Sequence, residues 1–448
     1  MKRMLSLVLL WLLALSAAWA APVLEPLTIL HTNDVHAHIA AADGRGGLAA
    51  ICSYLKSVQA EEKNVLVLDA GDLITGTPVS TLFLGVPVFE IYNTMPYQVA
   101  VLGNHEFDHG WSQISEFLRV AEFPILSANI HLPSGALITG RATQGIAVGN
   151  LKIGIIGLTH PDLRRLTARA GWEGLTIEEP AAVAQRYVKA LRPKADLLIA
   201  LTHLGVDDDV ALARAVPELD VIVGGHSHTE LTQPRQVGNT LIVQAGSYSK
   251  YVGRLDLVVD LVEKRIVRHE GRLIPVAAES MGSDPVTAAA VEKWESRVRE
   301  AVDVKIGDNA SLKGRSELQD IISEVLRVTF ETDFGYQNSG GVRADLSPGP
   351  ILKRHIWTML PFGNRVTLVT LERDQLSEFN VRAPAGEDKE RYTVATNSYV
   401  AEQVAARLNL PPERIEMLPR LVRDVIIEYV EARGSLEMPA LVPAVEGR

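Results

Sequence analysis

Cysteine is all but missing from this 448-residue chain: Cys52 stands alone. A single thiol excludes an internal disulfide and any cysteine-based zinc site. Its neighbours Leu48, Ile51 and Leu55 share a helical face with it, so Cys52 reads as core. Positive charge is also short. Forty-four lysines and arginines stand against 54 acids, a formal charge of −10. That balance argues against a nucleic-acid polymer or an anionic membrane as partner. No dinucleotide fingerprint or phosphate-loop lysine occurs, and the loop Gly44-Arg45-Gly46-Gly47 supplies neither. With 47% apolar and 22% charged residues, the composition is that of a globular chain and excludes disorder, collagen and coiled coil.

One apolar run stands apart. Lys2 and Arg3 precede Met4–Leu15, and Ala18-Trp19-Ala20 comes just before Ala21. Charged start, short apolar stretch and small-x-small exit predict a signal peptide over residues 1–20. The run is short for a bilayer span, which takes ~20 apolar residues. No later run is long enough to cross a membrane, so the expected mature protein is exported, periplasmic or secreted, with a charge of −12 and no membrane association.

From Leu27 to about Ile274, short β-rich runs alternate with amphipathic stretches. The clearest runs are Leu27–Leu30, Val65–Leu68, Val99–Leu102, Lys152–Gly157, Leu197–Leu201, Val221–Val223 and Leu241–Gln244. Leu48–Val58 and Ala181–Leu191 have helical spacing between them. That alternation predicts an α/β domain with a layered sheet over residues 25–278. A charged helical stretch, Asp284–Val302, lies in a connector spanning residues 279–305. A second, smaller α/β unit is expected over 306–448, with helices at Glu317–Thr329, Val400–Leu408 and Leu418–Glu431 and a strand at Val366–Leu371. The tail Met438–Arg448 has no periodicity and reads as frayed.

Histidine carries the chemistry. Of twelve, eight lie in four short patches: His31, His36, His38, His105, His109, His203, His226 and His228. Each polar cluster follows an apolar strand. Leu27–Leu30 leads to Asp34-Val35-His36, Val65–Leu68 to Asp69-Ala70-Gly71-Asp72, and Val99–Leu102 to Gly103-Asn104-His105-Glu106. Leu197–Thr202 leads to His203, and Val221–Val223 to Gly224-Gly225-His226-Ser227-His228. Open α/β sheets bind ligands at the carboxyl ends of their strands. Carboxylates crowded at such an edge repel one another and cost free energy when buried. A pair of divalent cations relieves both penalties. Imidazole and carboxylate without thiolate suit Mn, Zn, Co or Fe.

These motifs resemble the calcineurin-like metallophosphoesterases. Together with Asn338-Ser339-Gly340-Gly341-Val342-Arg343 and Leu360-Pro361-Phe362-Gly363-Asn364, they resemble the 5′-nucleotidase branch of that family, from about Leu27 to about Glu431. The resemblance implies a layered α/β/β/α sandwich followed by the smaller substrate-binding domain. It assigns one metal to Asp34, His36 and His228, a bridging role to Asp72, and the second metal to Asn104, His203 and His226. His105 matches the family's catalytic histidine and Asp108 the aspartate that orients it. Such a metal pair acidifies a shared water and clamps phosphoryl oxygens during in-line attack. The resemblance also places Asn338 and Arg343 at the substrate, with Phe362 stacking one face of a base and Tyr399 the other.

The remaining candidates take plainer readings. His31, His38 and Asn33 read as loop or surface packing, with hydrogen-bonding support the alternative for Asn33, and Asp69 reads as a strand-end cap. His109 and His160 read as structural, and Asp207-Asp208-Asp209 as a solvated helix start. Arg315 matches the family loosely. The relatives' Gly-Gly-Asp-Gly stretch after the second aromatic is replaced here by Val400-Ala401-Glu402-Gln403. The expected activity is therefore an exported dimetal phosphohydrolase acting on a small phosphate ester, nucleoside 5′-monophosphates first. The alternatives share the fold: a thiosulfohydrolase, a cyclic-nucleotide phosphodiesterase or a nucleotide-sugar hydrolase. Oligomeric state is not written in the sequence.

Overall fold

A computed structural model describes residues 22–42, 44–384 and 389–439. The expected signal segment 1–20 and nearly all of the tail Met438–Arg448 lie outside the described residues. Among the described residues no helix is long and apolar enough to cross a membrane.

Two six-stranded sheets form the first unit. One runs in the order Arg265–Pro275, Tyr251–Asp260, Leu24–Thr32, Val65–Asp69, Val99–Val101, Ile125–Leu126, the last four mutually parallel. The other runs Arg235–Val237, Thr240–Val243, Val221–Val223, Leu197–His203, Leu151–Thr159, Thr143–Val148, with its four middle strands parallel. Strands buried on both faces read as unbroken apolar runs, which is why they stood out in the sequence. Ile29, Leu66, Leu68, Ile153, Ile199 and Val221 fill the space between the sheets. Helices close both outer faces. Leu48–Glu61 buries Leu48, Ile51, Cys52 and Leu55 over the first sheet, and Pro180–Leu191 and Val206–Ala215 bury Val183, Val188 and Val210 over the second. The layering is α/β/β/α, as expected.

The helix Pro285–Val302 is capped by Asp284, whose side chain accepts from Thr287 N. It lies along the first sheet's helical layer, burying Trp294, Val298 and Val302. Beyond it a four-stranded sheet orders Phe334–Gly335, Arg391–Asn397, Arg365–Glu372 and Ile415–Leu421. Helix Arg315–Thr329 and helix Val422–Arg433 bury Leu318, Ile322, Val425 and Ile426 in a second core.

Two expectations need correction. The helix read as Leu418–Glu431 begins only at Val422, because Ile415–Leu421 pairs as an edge strand with Arg365–Glu372. Pro419 within that run cannot sit inside a helix without losing a hydrogen bond, and an edge strand tolerates it. The run Asp207-Asp208-Asp209 does start a helix, but only the first two acids are exposed; Asp209 is fully buried.

Candidate metal centre

All five motif-bearing strands belong to parallel ladders of the two sheets, so their carboxyl ends open at one edge. The chain then bends sharply. Asp34, His36, Asp72, His226 and His228 all have positive φ, between 49° and 77°. Such backbone costs ~1–2 kcal/mol per non-glycine residue and persists where surrounding structure enforces it. Five of the seven sequence-predicted ligands are therefore held in strained turns. Gly71, at φ +85°, lets the Asp72 turn pass under the neighbouring loop: a Cβ there would lie 2.6 Å from Gly103 N.

The donor atoms converge. Asp34, His36 and His228 each offer one within 4.8 Å of the others, and so do Asp72, His203 and His226. Asp72 Oδ2 faces both groups, 2.9 Å from His203 Nε2 and 3.8 Å from His36 Nε2. His228 Nε2 lies 3.2 Å from Asp34 Oδ1 and 3.1 Å from His36 Nε2. Asn104 Oδ1 is 2.8 Å from His226 Nδ1. All seven residues sit at one edge.

Neighbouring groups orient these donors. His36 Nδ1 lies 2.9 Å from the Thr75 carbonyl and His203 Nδ1 2.6 Å from that of Ala70. A carbonyl only accepts, so each Nδ1 carries a proton and each Nε2 is turned toward the centre. Asp34 Oδ2 accepts from Asn33 Nδ2 and His226 N, at 2.7 and 2.9 Å. Its Oδ1 is left without a hydrogen-bond partner and is sealed from solvent; His203 Nε2, sealed as well, faces the Asp72 carboxylate. Buried polar atoms without partners are rare in native proteins. Imidazole nitrogens and carboxylate oxygens converging on one point, with no thiolate among them, fit divalent cations, which would take the place of imidazole protons there.

Electrostatics agree. Burial would lower the His203 imidazole, yet Asp72 and Asp34 outweigh it and raise it to about 10. Burial works against the Asp72 charge too, but His203 and His105 hold its carboxyl well below the usual range. The cluster attracts positive charge. Part of it arrives from the second unit: Arg343 Nη2 lies 3.3 Å from His36 Nε2.

His105 stands beside the ligands. Its Nδ1 is 2.7 Å from Asp108 Oδ2, and its Nε2 points inward, 4.0 Å from Asp72 Oδ2. Burial opposes protonation of the ring, but Asp108 and Asp72 raise it above the ordinary histidine value. The Phe362 ring stacks near it, centroids 5.9 Å apart at 25°. A cavity of about 510 Å³ opens over the centre, lined by Asp72, Asn104, His105, Asp108, His226 and His228 on one side. Asn338, Arg343, Phe362 and Tyr399 line the other. Asn338 Oδ1 accepts from Asn397 Nδ2 at 2.9 Å, and the Tyr399 hydroxyl donates to the Arg165 carbonyl. The structure brings every predicted site residue to this cavity or to the centre beneath it.

The plainer candidates separate. Asn33 supports Asp34, and Asp69 caps its strand end, accepting from Thr32, Tyr92 and Gly71 N. His31 departs from its loop-or-surface reading: it is part of the strand Leu24–Thr32, 2% exposed, and burial lowers it to about 3. His109 lines the cavity, and the His160 ring lies 4.7 Å from that of His226. Arg315 is exposed and absent from the cavity lining.

Sequence reasoning missed Glu106. Its buried carboxylate accepts from the backbone N–H groups of Gly103, Leu73 and Asp72 at 2.6, 2.8 and 3.1 Å, tying two ligand-bearing loops together. Burial, with Asp72 adding to it, raises its carboxyl to about 7. Its place directly after Asn104-His105 was the available signal.

Comparison with known proteins follows the same division. The calcineurin-like phosphoesterase family matches residues 27–230, and the 5′-nucleotidase C-terminal domain matches residues 299–379. A 5′-nucleotidase of Vibrio vulnificus is 31% identical over 84% of this chain and 78% of its own. The solved 5′-nucleotidase precursor of Thermus thermophilus superposes with a TM-score of 0.83 at 26% identity, covering 92% of this chain and 97% of that one. The sulfate thiohydrolase SoxB of Thermus thermophilus, solved with glycerol, has a TM-score of 0.74 at 19% identity over 91% and 94% of the two chains, which shows a shared fold.

Proposed function

The chain belongs to the 5′-nucleotidase family of calcineurin-like phosphoesterases, and from that premise we propose that it is exported and releases inorganic phosphate from nucleoside 5′-monophosphates. That it is a metal-dependent phosphoester hydrolase follows from the family. The observation carrying the finer reading is one cavity in which the histidine–carboxylate cluster faces Arg343 and Phe362.

In this reading Asp34, His36 and His228 would hold one divalent cation and Asn104, His203 and His226 another, with Asp72 within reach of either. Two such cations supply Lewis acidity that neutralises phosphoryl oxygens and makes water nucleophilic at neutral pH. The protein's own groups do the rest. Arg343 presents a planar guanidinium whose paired N–H groups match phosphoryl oxygens in a way a lysine does not. His105, held by Asp108 through Nδ1, gives its Nε2 proton to the departing ester oxygen. Phe362 stacks on the base and Tyr399 covers the far side, while Asn338 offers its amide at the cavity wall. Residues 25–278 act as the catalytic domain, 279–305 as the connector and 306–448 as the substrate-binding domain.

The helix Ser398–Leu408 runs on directly behind Tyr399, where Val400-Ala401-Glu402-Gln403 replaces the glycine-rich stretch noted above. That replacement favours testing substrates other than nucleotides. Product formation is measured on one metal-loaded preparation: inorganic phosphate from nucleoside 5′-monophosphates, the ring-opened monophosphate from cyclic nucleotides, the two phosphate esters from nucleotide sugars, and sulfate from thiosulfonate esters. Highest kcat/KM for the 5′-monophosphates is expected. Preference for a thiosulfonate or a cyclic nucleotide by tenfold or more (about 1.4 kcal/mol) would replace this reading with the corresponding one.

A further inference from the structure

The loop that presents Phe362 is anchored by a buried cation that forms no ion pair among the described residues. Arg423 lies in the first turn of the helix Val422–Arg433 and is 3% exposed. Its Nη1 donates to the Leu360 carbonyl at 3.1 Å and lies 3.4 Å from that of Pro361, the two residues just before Phe362. Its guanidinium carbon sits 3.7 Å over the centroid of Trp357. Its Nε has no hydrogen-bond partner, and no ion pair involves Arg423 among the described residues. Burial, only partly offset by Asp424, lowers the group to about 10.

A buried charge balanced only by carbonyl dipoles and one aromatic face is costly. Replacing it with an apolar side chain of similar length would relieve that cost, so packing gives no reason to retain it. What a guanidinium does here, and an apolar group does not, is hold two successive carbonyls in one orientation. The same loop is tied on both sides: Thr81 Oγ1, from the first unit, donates to the Pro361 carbonyl at 3.1 Å, and Asn364 O accepts from Val422 N. Phe362 is the half-buried residue between these ties, its ring stacked against His105.

We propose that Arg423 is a positioning residue for substrate selection, fixing the Leu360–Asn364 loop so that Phe362 meets the base. This rests on the reading of Phe362 as the stacking ring. Steady-state kinetics of the full chain, metal-loaded, test it with adenosine 5′-monophosphate and with glycerol phosphate, which has no ring to stack. Arg423→Met is expected to raise KM for the nucleotide about tenfold, the scale of one lost base–aromatic stack. It leaves KM for glycerol phosphate unchanged and adds nothing in a Phe362→Ala background. Arg423→Lys, which keeps the charge but not the flat fork, recovers part of the loss.

Equal rises in KM for both substrates, or additive effects of Arg423→Met and Phe362→Ala, overturn the proposal while leaving the stacking reading intact. A Phe362→Ala variant with unchanged nucleotide KM removes the stacking reading and this proposal with it. Should Arg423→Met fail to fold, Arg423→Lys carries the same two-substrate comparison.

Discussion

Replacing Asp108 separates positioning from metal binding, because this carboxylate touches His105 and none of the seven candidate ligands. The Nδ1–Oδ2 distance is 2.7 Å, and the two side chains are only 10% and 12% exposed, so solvent screens the pair little. Hydrogen bonds to a charged group contribute ~1.5–3 kcal/mol, about twice the neutral value. Asp108→Asn keeps a neutral acceptor and removes the charge, a loss of ~1 kcal/mol and about fivefold in turnover. Asp108→Ala removes the bond entirely, which converts to about 10- to 150-fold. The assay is phosphate release at saturating metal and substrate, with metal content measured on the same samples. A graded fall in kcat from wild type through Asn to Ala at constant metal content is the expected result. Unchanged kcat in the Ala variant, or metal loss in step with activity, would refute the reasoning.

Gly225→Ala should damage the centre without replacing a ligand: its Cβ would lie 2.7 Å from both the Ala70 carbonyl and His203 Nδ1. Overpacking of this kind costs ~1–3 kcal/mol, so a lower melting temperature and weaker metal retention are expected, and a variant normal in both would contradict the geometry. Asp209 supplies a pH test. Burial raises its carboxyl from 3.8 to about 7, against an opposing hydrogen bond from Thr202. The folded state then keeps a proton that the unfolded chain releases, so this contribution is full below about pH 4 and declines as pH rises to about 7. Asp209→Asn mimics the protonated form and should gain on wild type, by on the order of a few kcal/mol, between about pH 5 and about pH 8. Urea unfolding of both proteins at the two pH values checks it; a gap that narrows as pH rises has the wrong sign.

Much of this was legible because the chemistry follows strand ends. Strands buried on both faces announce themselves as apolar runs, and Asp34, Asp72, Asn104, His203 and His226 each follow one within a few residues. The long hairpin Tyr251–Asp260 and Arg265–Pro275 was hidden by its exposed side: the second strand is largely solvent-facing and charged, so its period of two carries little apolar signal. Leu418–Leu421 takes a helical reading because the edge strand Ile415–Leu421 has no fully buried residue to mark it. Arg423 was unreadable for a different reason. On a helix with Asp424 and Arg433 it resembles any solvated charge, and only the fold turns it toward Leu360 and Pro361. Glu106 and Asn33 act through backbone groups brought together from distant loops, a relation that spacing along the chain does not encode.

The most direct test of the central claim is elemental analysis of the purified chain alongside its phosphate release, before and after exhaustive treatment with a chelator. The account predicts about two divalent ions per chain, loss of ions and turnover together, and recovery of both on adding manganese, cobalt or zinc. Full turnover by protein stripped of its ions would contradict it.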